Sequence, residues 1–181
     1  MGLAADVPGM QAQWLGRKLV PQDGSGSMKL WALMMLHGNT RKALKFNKYS
    51  GIIQFANAVA LFVNVRSKTE DYPNLFLDGG RKMTWFGARG MDGEHPVMKR
   101  ILSCTGAAPD GKMPVALFCR EQGDAYIYCG LVSVDCFYPQ TAPMKVVFKL
   151  CDYDTLTAAQ EVANLDLFAG AAPPSANDKG T

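Results

Sequence analysis

Groups that move protons, attack substrates or hold metals are sparse in this sequence. Its two histidines, His37 and His95, stand far apart and in neither an H-x-x-x-H nor an H-E-x-x-H setting, so a zinc hydrolase would have to assemble its ligands from scattered positions. There is no G-x-S-x-G elbow for an acyl-transfer serine and no G-x-x-x-x-G-K-[ST] loop for phosphates. The five cysteines, Cys104, Cys119, Cys129, Cys136 and Cys151, are odd in number and lack a C-x-x-C spacing, which disfavours both a disulfide framework and a zinc site and leaves buried thiols as the expectation. Cys119 or Cys129 with His95 would form a nucleophile and base, but both cysteines fall in strand-like runs where a small buried side chain is the commoner use. Asp152-Tyr153-Asp154 precedes a helical pattern and reads as a helix cap, and Asp78-Gly79-Gly80 reads as a turn. No catalytic residue, metal or cofactor is assigned.

Charge and aromatic content are more informative. Over 181 residues, 19 Lys+Arg against 16 Asp+Glu leave a net charge of +3, too small for a histone-like polycation. The charge is unevenly placed: from Leu150 to Thr181 the balance is −4, so the preceding chain carries +7, and Lys29, Arg41, Lys42, Lys45 and Lys48 lie in a stretch without an acid. A second group, Arg81, Lys82, Arg89, Lys99 and Arg100, flanks Trp85 and Phe86 among the glycines Gly79, Gly80, Gly87, Gly90 and Gly93. Aromatics interleaved with cations stack bases while binding phosphates, and glycines let backbone approach a ligand closely. The plainer reading makes Trp85 and Phe86 core residues at a strand end and the glycines ordinary turns.

These residues must be positioned by a β-rich body. With 48% hydrophobic and 19% charged residues the chain has the material for a core. Residues 1–28 contain Pro8, Pro21 and a Gly-Ser run and read as a flexible arm; residues 169–181 read as a disordered tail, leaving one domain over 29–168. Pro114–Arg120, Ala125–Phe137 and Met144–Leu150 are the clearest strands, a meander whose first turn is Glu121-Gln122-Gly123-Asp124. Ala58–Val65 is a further strand, and Gly51–Asn57 either continues it or bends. Helices are expected over Lys29–Leu36, Pro96–Ser103 and Thr155–Phe168. The longest apolar run, Leu30–Leu36, falls far short of the roughly 20 residues a transmembrane helix needs. The N-terminus does not resemble a secretory signal, so an intracellular setting, nuclear or cytoplasmic, is expected.

Read in order, Tyr72-Pro73-Asn74-Leu75-Phe76, Met83-Thr84-Trp85-Phe86, Pro96–Leu102, Val115–Arg120, Tyr126-Ile127-Tyr128-Cys129-Gly130 and Pro143–Leu150 form a series. It resembles the uncharacterised C-terminal domain of some bacterial helicase and nuclease fusions, over about Asp71 to Leu150. The resemblance implies a fold of the pseudouridine-synthase-archaeosine-transglycosylase (PUA-like) type, a compact β-barrel related to SRA and EVE domains. Domains of that group commonly bind nucleic acid, and several hold a modified base in an aromatic pocket. Two departures are plain: Trp85-Phe86-Gly87 stands where the bacterial domains continue with polar residues, and the chain carries no helicase or nuclease segment.

The expectation is therefore an α+β fold, a PUA-like curved sheet or small barrel with a few peripheral helices, that binds nucleic acid, DNA first. Its base pocket would use Trp85, Phe86, Tyr126 and Tyr128, and its phosphate rim Arg81, Lys82, Arg89, Lys99, Arg100 and Arg120. Alternation puts Tyr126, Tyr128 and Gly130 on one face of their strand, with Gly130 either leaving space for a flat ligand or marking a bulge. No membrane is involved, and a separate protein partner would supply any enzymatic activity. The alternatives are a protein-interaction module using exposed apolar residues near Leu30–Leu36, and a small enzyme acting on a base or nucleotide.

Overall fold

Val59–Val65 (β2) and Val115–Glu121 (β5) lie side by side in parallel, and their near-continuous apolar runs follow from that position, because both faces of each strand are covered. The computed structural model describes residues 2–21, 26–38, 46–65, 71–104 and 113–158. Within them the fold is α+β: a curved, mixed seven-stranded sheet with four helices. The remaining strands are Ile52–Gln54 (β1), Phe76–Leu77 (β3), Lys82–Phe86 (β4), Ile127–Tyr138 (β6) and Lys145–Leu150 (β7), and the order across the sheet is β1-β2-β5-β6-β7-β4-β3. β5, β6 and β7 form the expected antiparallel meander, and Gly123 takes the positive φ that the first turn requires. Gly51–Asn57 resolves into β1 and a bend, antiparallel to β2.

The helices are Val7–Trp14 (α1), Met28–Leu36 (α2), Pro96–Leu102 (α3) and Tyr153–Ala158 (α4). Ser27 caps α2 through its side chain, and Pro96 opens α3 behind the capping His95. The expected helix over Thr155–Phe168 is seen as α4; its part from residue 159 onward, the tail, and Arg41, Lys42 and Lys45 lie outside the described residues. Among the described residues, no helix is long and apolar enough to cross a membrane.

Two cores sit on opposite faces of the sheet. The inner one gathers Val59, Leu61, Val63, Trp85, Met98, Leu117, Phe148 and their neighbours; the outer one gathers Ala60, Phe62, Phe118, Tyr126 and Tyr128 beneath α1 and α2. The reading of residues 1–28 as a loose arm is corrected here. Met10 and Leu19 are fully buried, and Leu15 and Lys18 form backbone bridges to Tyr128 and Ile127. The apolar residues near Leu30–Leu36 are likewise not an open face: Ala32, Leu33, Met35 and Leu36 are buried in the outer core.

Candidate functional site

The sheet's two ends bend back towards each other without pairing. Asn74, just before β3, spans the gap: its Nδ2 donates to the carbonyl of Asn64 on β2 at 3.4 Å, and its Oδ1 accepts from the backbone N–H of Phe86 on β4 at 3.2 Å. Beside this link lies a cavity of about 410 Å³ lined by Tyr49, Ser50, Gln54, Asn64, Trp85 and Phe86 among others. Each end contributes for a local reason. On the β1 side, the Ser50 hydroxyl donates to the carbonyl of Ile52 and accepts its N–H, fixing the entry into the strand. On the β4 side, Gly87 carries the chain over α3, where a Cβ would lie 2.9 Å from the Met98 methyl. Tyr49 stands 83% exposed at the rim, and the Tyr72 ring tilts against Phe86 at 5.4 Å.

Three cations stand directly behind the polar lining. Lys29 donates to the carbonyls of Lys48 (2.9 Å) and Ser50 (2.8 Å). Arg120 donates from Nε to Asn64 Oδ1 at 2.8 Å and lies over the Tyr126 ring at 4.3 Å. Arg100 donates to Gln54 Oε1, to the carbonyl of Phe55 and to the thioether of Met113. Burial first, and the charge of Arg120 second, hold the Lys29 ammonium below its ordinary pKa. The nearby Asp124 carboxylate is engaged by Lys18 at 2.8 Å, which with the N–H of Ala125 holds its pKa below the usual range.

The structure therefore divides the expected site. Trp85 and Phe86 line the seam cavity, with Trp85 only 5% exposed and packed on Phe148 as well. Tyr126 and Tyr128 do not join them: they lie in the core on the other face of the sheet, Tyr126 edge-on to Phe62 and Tyr128 tilted against Phe118, and Tyr128 has no exposed surface. Among the described residues the buried Tyr128 hydroxyl has no hydrogen-bond partner, and burial pushes its pKa up. A base cannot reach either ring while α1 and α2 are docked, so a single pocket of all four aromatics is corrected. The bulge reading of Gly130 holds: Phe118 pairs with Tyr128 but Ala116 with Leu131, and Gly130 takes φ +79° in the extra position.

The expected phosphate rim is scattered too. Arg100 and Arg120 back the seam cavity, whereas Arg81 and Lys82 line a separate recess of about 460 Å³ with Asp78, Lys149, Tyr153 and Asp154. There the Arg81 guanidinium lies over the Tyr153 ring at 4.4 Å, and Lys82 pairs with Asp135 at 2.8 Å. Lys99 pairs with Glu94 at 2.6 Å, and Arg89 is exposed in the turn after Gly87. The nucleophile–base arrangement is not formed by the means considered: His95 Nδ1 accepts from the Val97 N–H to cap α3, and Cys119 is fully buried with burial raising its thiol pKa well above normal. Among the described residues, no group of three or more His, Cys, Asp or Glu could hold a metal.

Sequence reasoning missed Lys29, Gln54, Asn64 and Asn74 as site residues. One signal was available. β2 reads Val-Ala-Leu-Phe-Val-Asn and β5 reads Val-Ala-Leu-Phe-Cys-Arg; paired in register, these runs set Asn64 beside Arg120, a polar pair ending two buried stretches. No protein-family model matches the chain, and no curated protein matches it.

Proposed function

We propose that this chain is a nucleic-acid-binding module that seats a flat, base-sized group against Phe86 and the edge of Trp85 in the seam cavity. The observation that carries this reading is an aromatic-walled recess whose neutral polar lining is backed by three cations, Lys29, Arg100 and Arg120. Stacking supplies sequence-tolerant affinity, and the positive field draws a phosphate backbone to the rim. Arg81, Lys82 and Lys149 at the second recess add a further cationic surface along which the backbone would run. The resemblance to PUA-like domains supports the same reading, and a modified base in DNA is its sharper form. Tyr126 and Tyr128 take no part, and their role is to hold α1, α2 and the sheet together.

Fluorescence anisotropy with labelled duplex and single-stranded DNA, at two salt concentrations, tests it. Trp85 is a poor first target, because truncating a buried tryptophan costs about 3–5 kcal/mol of stability. Phe86→Ala should weaken binding about tenfold, the order expected for one stacked base. Lys82→Ala should weaken binding to all sequences and reduce the salt slope by about one. Tyr128→Phe should leave binding unchanged. Absence of binding to any DNA at low salt would refute the reading and favour a protein-interaction role.

A further inference from the structure

The hydrogen-bond roles around the seam cavity restrict what it can accept. A guanidinium has only donors, so the amide atom facing it must be the oxygen. Arg100 therefore fixes Gln54 with Oε1 turned to the guanidinium, and Arg120 fixes Asn64 with Oδ1 turned likewise. In both residues the amide N–H₂ is the group left over, and among the described residues no acceptor is assigned to Gln54 Nε2 or Asn64 Nδ2. Both residues line the cavity.

Several of the other oxygens in the wall already accept a hydrogen bond. Ser50 Oγ accepts from Ile52, and Asn74 Oδ1 accepts from Phe86. The carbonyls of Ser50, Gly51 and Asn64 accept from Lys29, Phe62 and Asn74 respectively. Among the described residues, no carboxylate lines the cavity. Of the side-chain oxygens that the described residues bring to the wall, only the rim hydroxyl of Tyr49 is outside this pattern. Bonding to a neutral carbonyl or amide does not cancel the charge of the cations that orient the lining, and the Asp124 carboxylate near Arg120 is itself paired with Lys18. Lys29, Arg100 and Arg120 thus set a positive potential behind a wall in which the side-chain amides of Gln54 and Asn64 present N–H donors.

We infer that the seam cavity selects a flat heterocycle bearing an anionic oxygen substituent, a ring carboxylate above all, and meets it with the amide N–H groups of Gln54 and Asn64. This deepens the reading of the seam cavity as a ligand site. The same chemistry is available from two sources, a free acidic heterocycle or a carboxylated base within nucleic acid, and the experiment separates them.

Equilibrium dialysis of the full chain against radiolabelled orotate and radiolabelled uracil forms the first arm, since the two rings differ by the carboxylate. Orotate should bind at least about tenfold more tightly, the order expected when a charged acceptor meets fixed donors. Asn64→Asp and Gln54→Glu replace the N–H₂ with an anion while giving Arg120 or Arg100 a charged partner, so the fold is retained; each should abolish the preference. A melting temperature measured alongside verifies that the variants are folded. Equal binding of the two rings, no binding of either, or undiminished orotate binding by the folded acidic variants overturns the inference.

The second arm uses anisotropy with duplexes carrying 5-carboxycytosine, 5-methylcytosine or cytosine at one position. DNA binding that ignores the carboxylate, with no orotate preference, overturns the inference and leaves nucleic-acid binding standing. Orotate preference without any DNA binding supports the inference for the free heterocycle and removes the nucleic-acid reading. A preference for the carboxylated duplex supports both.

Discussion

Replacing Gly130 with alanine should separate the first helix from the sheet. At φ +79° an L side chain is strained, by about 1–2 kcal/mol. The added Cβ would also lie 2.2 Å from Asp152 Oδ2 and 2.8 Å from Leu15 Cδ1, closer than carbon packs, so the carboxylate must swing away. That same oxygen accepts from the Leu131 N–H at 2.8 Å and from Gln11 Nε2 at 3.0 Å, tying β6 and α1 to the turn after β7. Losing two hydrogen bonds to a charged acceptor, in a partly wet site, costs about 1–2 kcal/mol each, towards the low end for charged groups. Together with the backbone strain the expected destabilisation is about 3–6 kcal/mol, a large fraction of the roughly 5–15 kcal/mol that holds a domain folded.

Urea unfolding followed by tryptophan fluorescence measures this, because Trp14 ends α1 and Trp31 lies in α2. Asp152→Ala should remove the hydrogen-bonded share alone, and Gly130→Ala added to it should then cost only the backbone term. The double-mutant cycle should show a coupling of about 2–4 kcal/mol, the share that both substitutions remove. A coupling under about 0.5 kcal/mol, or a Gly130→Ala protein within about 1 kcal/mol of wild type, would refute the role given to the Asp152 carboxylate.

Three further outcomes are expected. A chain beginning at Lys29 should aggregate or show molten spectra, since it loses the buried Met10 and Leu19, worth about 1.5–3 kcal/mol apiece, and uncovers the outer core; cooperative unfolding with native midpoint would contradict the docking of α1. Brief alkylation of the native protein should label Cys151 and the half-buried Cys136, leaving Cys104, Cys119 and Cys129 unmodified until denaturant is added, which peptide mass spectrometry reads directly. Asp124 has a depressed folded-state pKa, so its pairing with Lys18 stabilises the protein above the unfolded carboxyl value of about 3.9 and is lost as pH falls through the folded value. Because the pair is largely exposed, Asp124→Asn should lower stability at pH 7 by no more than about 1 kcal/mol and have less effect at pH 2.5; a larger loss at the acid end would reverse the sign argued here.

The meander was legible because each strand is long, apolar and bounded by Gly, Pro or Asp, and its turn carries the residues a turn needs. The neighbour of β5 on its other side was not. That strand, β2, is distant in sequence, and its identical Val-Ala-Leu-Phe run signals parallel pairing only once the register is known. The short strands β1 and β3 have two or three residues each and leave no periodicity to read. α1 was hidden by Pro8, Gly9 and two glutamines, which dilute its apolar pattern; its burial comes from tertiary contact with β6, not from a strong intrinsic stripe. The tyrosine pair was placed on a common face correctly, but alternation cannot say whether a face is wet. Helix α1, packed from a segment that reads as a loose arm, decided together with α2 that it is dry.

The cations show most clearly why composition could identify a charge without its use. An expected rim of free Lys and Arg side chains would neutralise phosphates one by one, and its affinity would fall steeply with salt. Around the seam cavity Arg100 and Arg120 instead spend their donors on the oxygens of Gln54 and Asn64, one hydrogen bond behind the surface a ligand would touch. Fixed charges in such partly buried positions are screened less than exposed ones and cannot swing to follow an arbitrary phosphate. They favour a particular place for negative charge, inside the cavity, and the amides they orient present donors to it. Lys82, Lys99 and Arg81, paired with acids at the surface, retain at most a general attraction. Removing a surface lysine should therefore change how tightly any polyanion binds, whereas turning one lining amide into a carboxylate should change which ligand is chosen.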